Sequence, residues 1–197
     1  MRARDESKES TIRQKAMEMI VAQGFDGLSM QKLAKAAGVS PATIYIYFKD
    51  REDLIMQLCK EVGERIVEKT LLNFDPGMSF EDGLRVQWKN RASYWISNPV
   101  ESQFLEMVKH THYYDKFGPQ VKNAFSAVMG TFIGNAIRNG EMKLMSKEVY
   151  WSICFAPLYQ LVKYHISGKG LAGTDNFVLT DAIMEEAFQL VLKALKA

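Results

Sequence analysis

The 197-residue chain is short of several things that would otherwise decide its class. It has two cysteines, Cys59 and Cys154, both among apolar residues at helical spacing. A disulfide framework is thereby excluded, and both read as small buried hydrophobes in a reducing compartment. No uncharged apolar run approaches the roughly 18 residues that suggest a membrane span, and the charged N-terminus lacks the apolar core and cleavage site of a secretory signal. A cytoplasmic protein with no membrane association is expected. Formal net charge is only +2 and there is no continuous polybasic run, which excludes coating nucleic acid by bulk charge. Arg2, Arg4, Lys8, Arg13 and Lys15 do cluster near the N-terminus. Asp5, Glu6 and Glu9 interrupt them, so the stretch reads as a solvated tail more readily than as a groove-inserting arm.

Catalytic signatures are missing as well. There is no nucleophile motif, no glycine-rich phosphate loop and no acid pair spaced to interact, so neither enzyme activity nor a cofactor is expected. His110 and His112 form an H-x-H pair, but on a helix their side chains point roughly 200° apart. With Asp115 the only nearby carboxylate, no metal is expected.

What is present is apolar periodicity, with 47% apolar residues able to fill a core without staples. It reads as helix after helix with no strand pattern, hence an all-α chain. Ile12, Ala16, Met19 and Ile20 form the first stripe, which Gly24 ends. Asp50 caps a fourth helix running through Leu54, Leu58, Val62 and Ile66 towards Leu72, with Glu52 and Asp53 in its first turn. Pro76-Gly77 marks a break and Ser79 caps the next helix, which carries Phe80, Leu84, Trp88, Arg91 and Trp95 until Asn98-Pro99. A shorter helix from about Val100 to Lys109 precedes an irregular aromatic patch, His110 to Gly118. Pro119 is expected to open a helix bearing Val121, Phe125, Val128, Met129, Phe132, Ile133 and Ala136. Ser146 caps another, with a kink at Pro157, that ends at Gly168. The last, about Thr180 to Leu195, has Ile183, Ala187, Leu190, Val191, Ala194 and Leu195 on one side.

The densest information lies in Leu28 to Phe48, LSMQKLAKAAGVSPATIYIYF. Ser29 can cap a short helix whose Met30, Leu33, Ala34 and Ala37 share one face, and the small alanines let a second helix approach. Gly38 supplies the positive φ of a tight interhelical turn. Val39 is a plug beneath it, and Ser40-Pro41 pairs an oxygen cap with proline at the first helical position. Ile44 and Phe48 point inward from that second helix, leaving Ala42, Thr43, Tyr45 and Tyr47 to face elsewhere.

From about Thr11 to Leu58 the chain resembles the DNA-binding domain of the TetR family of bacterial transcriptional regulators. The resemblance is carried in order and spacing by Gly24-Phe25, Leu33-Ala34, Ala37-Gly38-Val39-Ser40, Tyr45, Phe48-Lys49 and Leu54. It implies an N-terminal three-helix helix-turn-helix domain, residues 1–50, and a C-terminal helical effector-binding and dimerisation domain, residues 51–197. The DNA contacts it implies are Gln31, Ser40, Pro41, Thr43, Tyr45, Tyr47 and Lys49. Gln31 and Thr43 have groups suited to base edges; the phenol hydroxyls and Lys49 suit phosphate. The resemblance raises Tyr47 and Lys49 more than Tyr45, and leaves Arg51 open between phosphate and a neighbouring carboxylate.

In the second domain the large aromatics suit an ordinary core one by one. Together, and with the family's habit of binding a small effector there, they suggest a pocket for an amphipathic or aromatic molecule lined by Trp88, Trp95, His110, Tyr113, Phe125 and Tyr159. The implied protein is a repressor that binds double-stranded DNA as a homodimer, pairing through its last two long helices, and is released by that effector. The alternative is a helical small-molecule-binding protein with no sequence-specific DNA role.

Overall fold

A computed structural model describes residues 5–171 and 176–197, and within its helices the side chains of 117–122 and 124 lie outside the description. Arg2 and Arg4 of the basic cluster, and the side chains of Pro119 and Val121, fall there. Among the described residues the secondary structure is helical, with a single isolated bridge between Met142 and Lys196. The helices are α1 (Glu6–Gln23), α2 (Met30–Ala36), α3 (Pro41–Tyr47), α4 (Arg51–Thr70), α5 (Phe80–Ser97), α6 (Pro99–Val108), α7 (His112–Arg138), α8 (Lys147–Cys154), α9 (Ala156–Ser167) and α10 (Asp181–Leu195).

Two compact units emerge, residues 1–65 with 100–121 and residues 66–99 with 122–197. The unit that holds the helix-turn-helix is therefore larger than the stretch to residue 50. The physical reason is the apolar face of α4, whose Leu54, Ile55, Leu58, Cys59 and Val62 are all buried and need covering.

In the first unit, local chemistry sets the helix ends. The Asp5 carboxylate accepts from the Ser7 and Lys8 amides at 3.1 and 3.3 Å to start α1, and Gly24, at φ 75°, ends it. Ser29 accepts from Lys32 N at 3.2 Å and Ser40 from Thr43 N at 3.2 Å, while Gly38 between them sits at φ 66°. Asp50 caps α4 through Asp53 N at 2.8 Å. Ile12, Ile20, Leu33, Ala34, Ile44 and Phe48 are buried, and α2 packs on both α1 and α3. The turn between α2 and α3 is thus held by a small buried core.

In the second unit α9 packs on α5 and α8, and α10 on α8, α9 and α5. Ser79 and Ser146 cap α5 and α8 as expected. Phe80 and Phe132 stack at 5.9 Å with Phe74 edge-on to Phe132 at 5.1 Å, and Gly83 makes room for them. A Cβ at Gly83 would lie 2.3 Å from a ring carbon of Phe132.

Three expectations are corrected. α7 begins at His112, not Pro119, because Tyr113 is drawn inward against Phe25, 5.4 Å between rings. The Pro157 segment breaks instead of kinking: α8 stops, Phe155 separates, and Pro157 occupies the first turn of α9, where a missing amide is harmless. On α10 the buried side chains are Phe188, Val191, Leu192 and Leu195, while Leu190 is 65% exposed, since the neighbouring helices select which of two apolar faces turns inward.

Candidate nucleic-acid interface and interior cation site

The expected DNA-contacting residues divide by exposure. Gln31, Ser40, Pro41 and Lys49 are exposed and Thr43 is half-buried, its hydroxyl 2.9 Å from that of Ser40. Tyr45 is 54% exposed, whereas Tyr47 is only 5% exposed. The Tyr47 hydroxyl accepts from the Asp5 amide at 2.9 Å and donates to the Asp5 carbonyl at 3.2 Å. It pins the start of α1 to the end of α3, and the geometry thus favours Tyr45 over Tyr47 as the phenol free to meet a ligand.

Arg51, left open between phosphate and a carboxylate, is held by two backbone carbonyls. Its Nε donates to the Leu28 carbonyl at 3.0 Å and its terminal nitrogen to the Phe25 carbonyl, locking the loop before α2. Arg13 is equally occupied, with Glu9 at 2.7 Å, Glu61 at 3.1 Å and Gln57 at 2.8 Å. Lys8 and Lys15 pair with Asp5 and Glu18.

A signal missed in the sequence lies in what surrounds the motif. Residues 27–49 contain Lys32, Lys35 and Lys49 and no carboxylate. All three lysines are exposed and none forms an ion pair among the described residues. Bare cations on one surface, with no acid to neutralise them, suit a polyanion that brings its own charge.

His110 and Tyr113 belong to the first unit, apart from the other aromatics expected to line a pocket. His110 is exposed after α6. The Tyr113 hydroxyl donates to the Glu52 carboxylate at 2.7 Å, with His112 Nε2 at 3.1 Å and the Lys116 ammonium at 3.6 Å. The Tyr113 hydrogen bond, then that of His112, holds the Glu52 carboxyl below the ordinary range. Burial, reinforced by Glu52, pushes the Tyr113 phenol up to about 12. Burial likewise pushes both cysteine thiols up to about 12, which makes them unreactive at neutral pH.

In the second unit Phe125 and Tyr159 both meet Arg91, and Trp95 packs on Tyr159. The Arg91 guanidinium donates to the Tyr159 hydroxyl at 2.5 Å and to Gln87 Oε1 at 3.2 Å, and the Trp95 and Tyr159 rings are edge-on at 5.8 Å. The guanidinium lies 4.2 Å from the centre of the Phe155 ring, 5.2 Å from Phe125 and 5.3 Å from Trp151. Gln87 passes the connection on, donating to the Thr70 carbonyl at the end of α4 at 3.0 Å. Trp88 points to the other side, donating to the Cys154 carbonyl at 2.9 Å and meeting Phe188 edge-on at 5.5 Å. Arg91 stands on the apolar stripe of α5, and a charged residue at a core position was the available sign of its importance.

The comparisons with known proteins agree with this arrangement. The family described as bacterial regulatory proteins, tetR family, matches residues 12–58. A helix-turn-helix-type transcriptional regulator of Haemophilus influenzae is 28% identical over 131 residues, 66% of this chain and 68% of that protein. The fatty acid metabolism regulator protein of Bacillus subtilis is 41% identical over 54 residues, 27% of this chain and 28% of that one. The crystal structure of a TetR-family transcription regulator from Marinobacter aquaeolei superposes with a TM-score of 0.84 at 26% identity, over 100% of this chain and 99% of its own. No helix among the described residues is long and apolar enough to cross a membrane. With its capped helix-turn-helix matching the tetR family of bacterial regulatory proteins over residues 12–58, and its all-α architecture shared over the full length of a solved TetR-family regulator, the chain is similar to TetR-family transcriptional regulators.

Proposed function

We propose that this regulator is a repressor that binds a near-palindromic operator as a homodimer and leaves it when a small amphipathic or aromatic effector enters the second unit. The observation that carries the DNA half is the surface of α2 and α3, where Gln31, Ser40, Thr43 and Tyr45 stand beside Lys32, Lys35 and Lys49 with no carboxylate from residue 27 to 49. Base-facing groups lie between phosphate-seeking ones, the division that sequence-selective duplex binding needs.

The exposed apolar side chains Val149 on α8 and Leu190 on α10 favour pairing of two copies through the C-terminal helices, and two reading heads then address successive major grooves. α4 supports the switch. Its first residue, Arg51, holds the loop before α2, and its last, Thr70, receives the Gln87 bond from the Arg91 cluster, with unbroken helix between. Weakening operator binding tenfold takes about 1.4 kcal/mol of coupling, an ordinary magnitude for two linked sites.

The test is selection of randomised duplex DNA by the purified protein at moderate salt, followed by titration of the enriched site over a salt series. Enrichment of a palindrome with a steep salt slope supports the reading. No enrichment by folded, ligand-free protein would leave a helical small-molecule-binding protein without a DNA role.

A further inference from the structure

Arg91 is 5% exposed, and it is the one buried cation among the described residues. Among the described residues its Nε–H has no hydrogen-bond acceptor. Neither of the acceptors it does have, the Tyr159 hydroxyl and the Gln87 amide oxygen, carries charge. The described carboxylates of its unit are engaged elsewhere or exposed: Glu81 and Glu185 hold Arg85, Glu141 holds the Phe80 amide, and Glu68, Asp75, Asp82, Glu148, Asp181 and Glu186 face solvent. A second buried polar group lies close by, the Tyr150 hydroxyl, whose neighbour is the thiol of Cys154 and which meets no carboxylate among the described residues. An arginine keeps its charge wherever it sits, so a buried one without a counter-ion is a standing cost unless something else supplies the anion.

From this we infer that the effector is a small monoanionic amphipath, a carboxylate whose head pairs with Arg91 and whose apolar body lies against Phe125, Trp151 and Phe155. The inference rests on the reading of the second unit as the effector-receiving part. A carboxylate matches the Nε edge of the guanidinium, where the unengaged Nε–H and the terminal nitrogen now bonded to Gln87 offer two parallel donors to two oxygens. One positive charge calls for one negative charge; a dianion would bring a surplus into an aromatic surrounding where the other described cations are surface-exposed or paired with acids. Trp151, 44% exposed, gives the ring cluster its open side. The head group would also compete with Gln87 for the guanidinium, and Gln87 is the residue that touches the end of α4.

The experiment uses the full chain and pairs of probes matched in shape: octanoate, decanoate, 4-phenylbutyrate and 3-(indol-3-yl)propionate, each beside its primary amide. Binding is read by tryptophan fluorescence and by the shift in thermal midpoint, without DNA. The expected result is that one or more acids bind at least about tenfold tighter than their amides, the margin of a charge-assisted bond over a neutral one. Arg91→Met, whose fold is checked by circular dichroism, should bind acid and amide alike. If that variant does not fold, Arg91→Lys, which keeps the charge and loses the fork, should cut the preference severalfold. No acid preferred over its amide by the wild type, or a preference undiminished in these variants, overturns the inference. Operator selection is scored separately: enrichment without an acid preference removes only the anionic effector, and an acid preference without enrichment removes only the DNA role.

Discussion

The two units treat unpaired positive charge in opposite ways. In the first, the charges of the arginines closest to the core are matched, Arg13 by the carboxylates of Glu9 and Glu61 although its Nη1 makes no hydrogen bond, and Arg51 by two loop carbonyls, while the bare cations Lys32, Lys35 and Lys49 stand on the surface. In the second, the surface cation Arg85 is paired with Glu185 and Glu81, and the unanswered one, Arg91, is inside among rings. An unpaired charge on the surface costs little and serves a large polyanion that docks from outside. One held in the interior is accessible only to something small. On the function proposed above, the placement of the unmet charge separates the surface offered to a macromolecule from the site offered to a metabolite-sized ion.

The sharpest way to break this contrast is to remove one inner arginine from each unit. Arg51→Met leaves the Leu28 and Phe25 carbonyls without their donor and should cost about 2–4 kcal/mol in urea unfolding, two charge-assisted bonds' worth. Arg91→Met removes a buried charge along with its ring contacts, terms that oppose each other, and should stay within about 1 kcal/mol of wild type. Equal losses in both would show that Arg91 is an ordinary structural arginine.

On the surface the prediction concerns binding. Lys49→Ala should weaken operator affinity by roughly tenfold at low salt and reduce the salt slope by about one, without altering which site is preferred. Thr43→Ala should instead change preference between sites. A Lys49→Ala salt slope equal to that of the wild type would remove this lysine from the phosphate contacts.

Tyr45 and Tyr47 refine the same surface. Tyr47→Phe keeps the packed ring and loses the two bonds to Asp5, so about 1 kcal/mol of stability should go while operator affinity moves less than in Tyr45→Phe. The reverse order of affinities would restore Tyr47 as a phosphate ligand.

These tyrosines also show why part of the molecule was legible in the sequence and part was not. Ser29, Gly38 and Ser40-Pro41 announce their helix ends because each acts on a backbone group within three residues of itself. The role of Tyr47 depends on Asp5, 42 positions away, and the early start of α7 on the Tyr113–Glu52 bond, 61 positions apart. Spacing cannot report such partners. It places Arg91 on the inner face of α5, but that no acid among the described residues faces it is a fact about several helices at once.

The smallest expected effect belongs to the Glu52 cluster, which sits on the exposed rim of the first unit. The folded-state pKa of Glu52 is depressed, chiefly by the Tyr113 hydroxyl and then by His112. A depressed carboxyl contributes stability that is present above its unfolded value near 4.5 and is lost as pH falls through the lower folded value. Thermal midpoints taken from pH 6 downward should therefore fall more steeply for the wild type than for Glu52→Gln, with the two curves converging at the acid end. Solvent screening keeps the difference small, because the carboxylate is about half exposed and so is His112. Parallel curves across the whole range would mean that the Tyr113 bond to Glu52 positions the start of α7 without contributing a charge-dependent share of stability, and that the first unit's stabilising charges are the inner arginines alone.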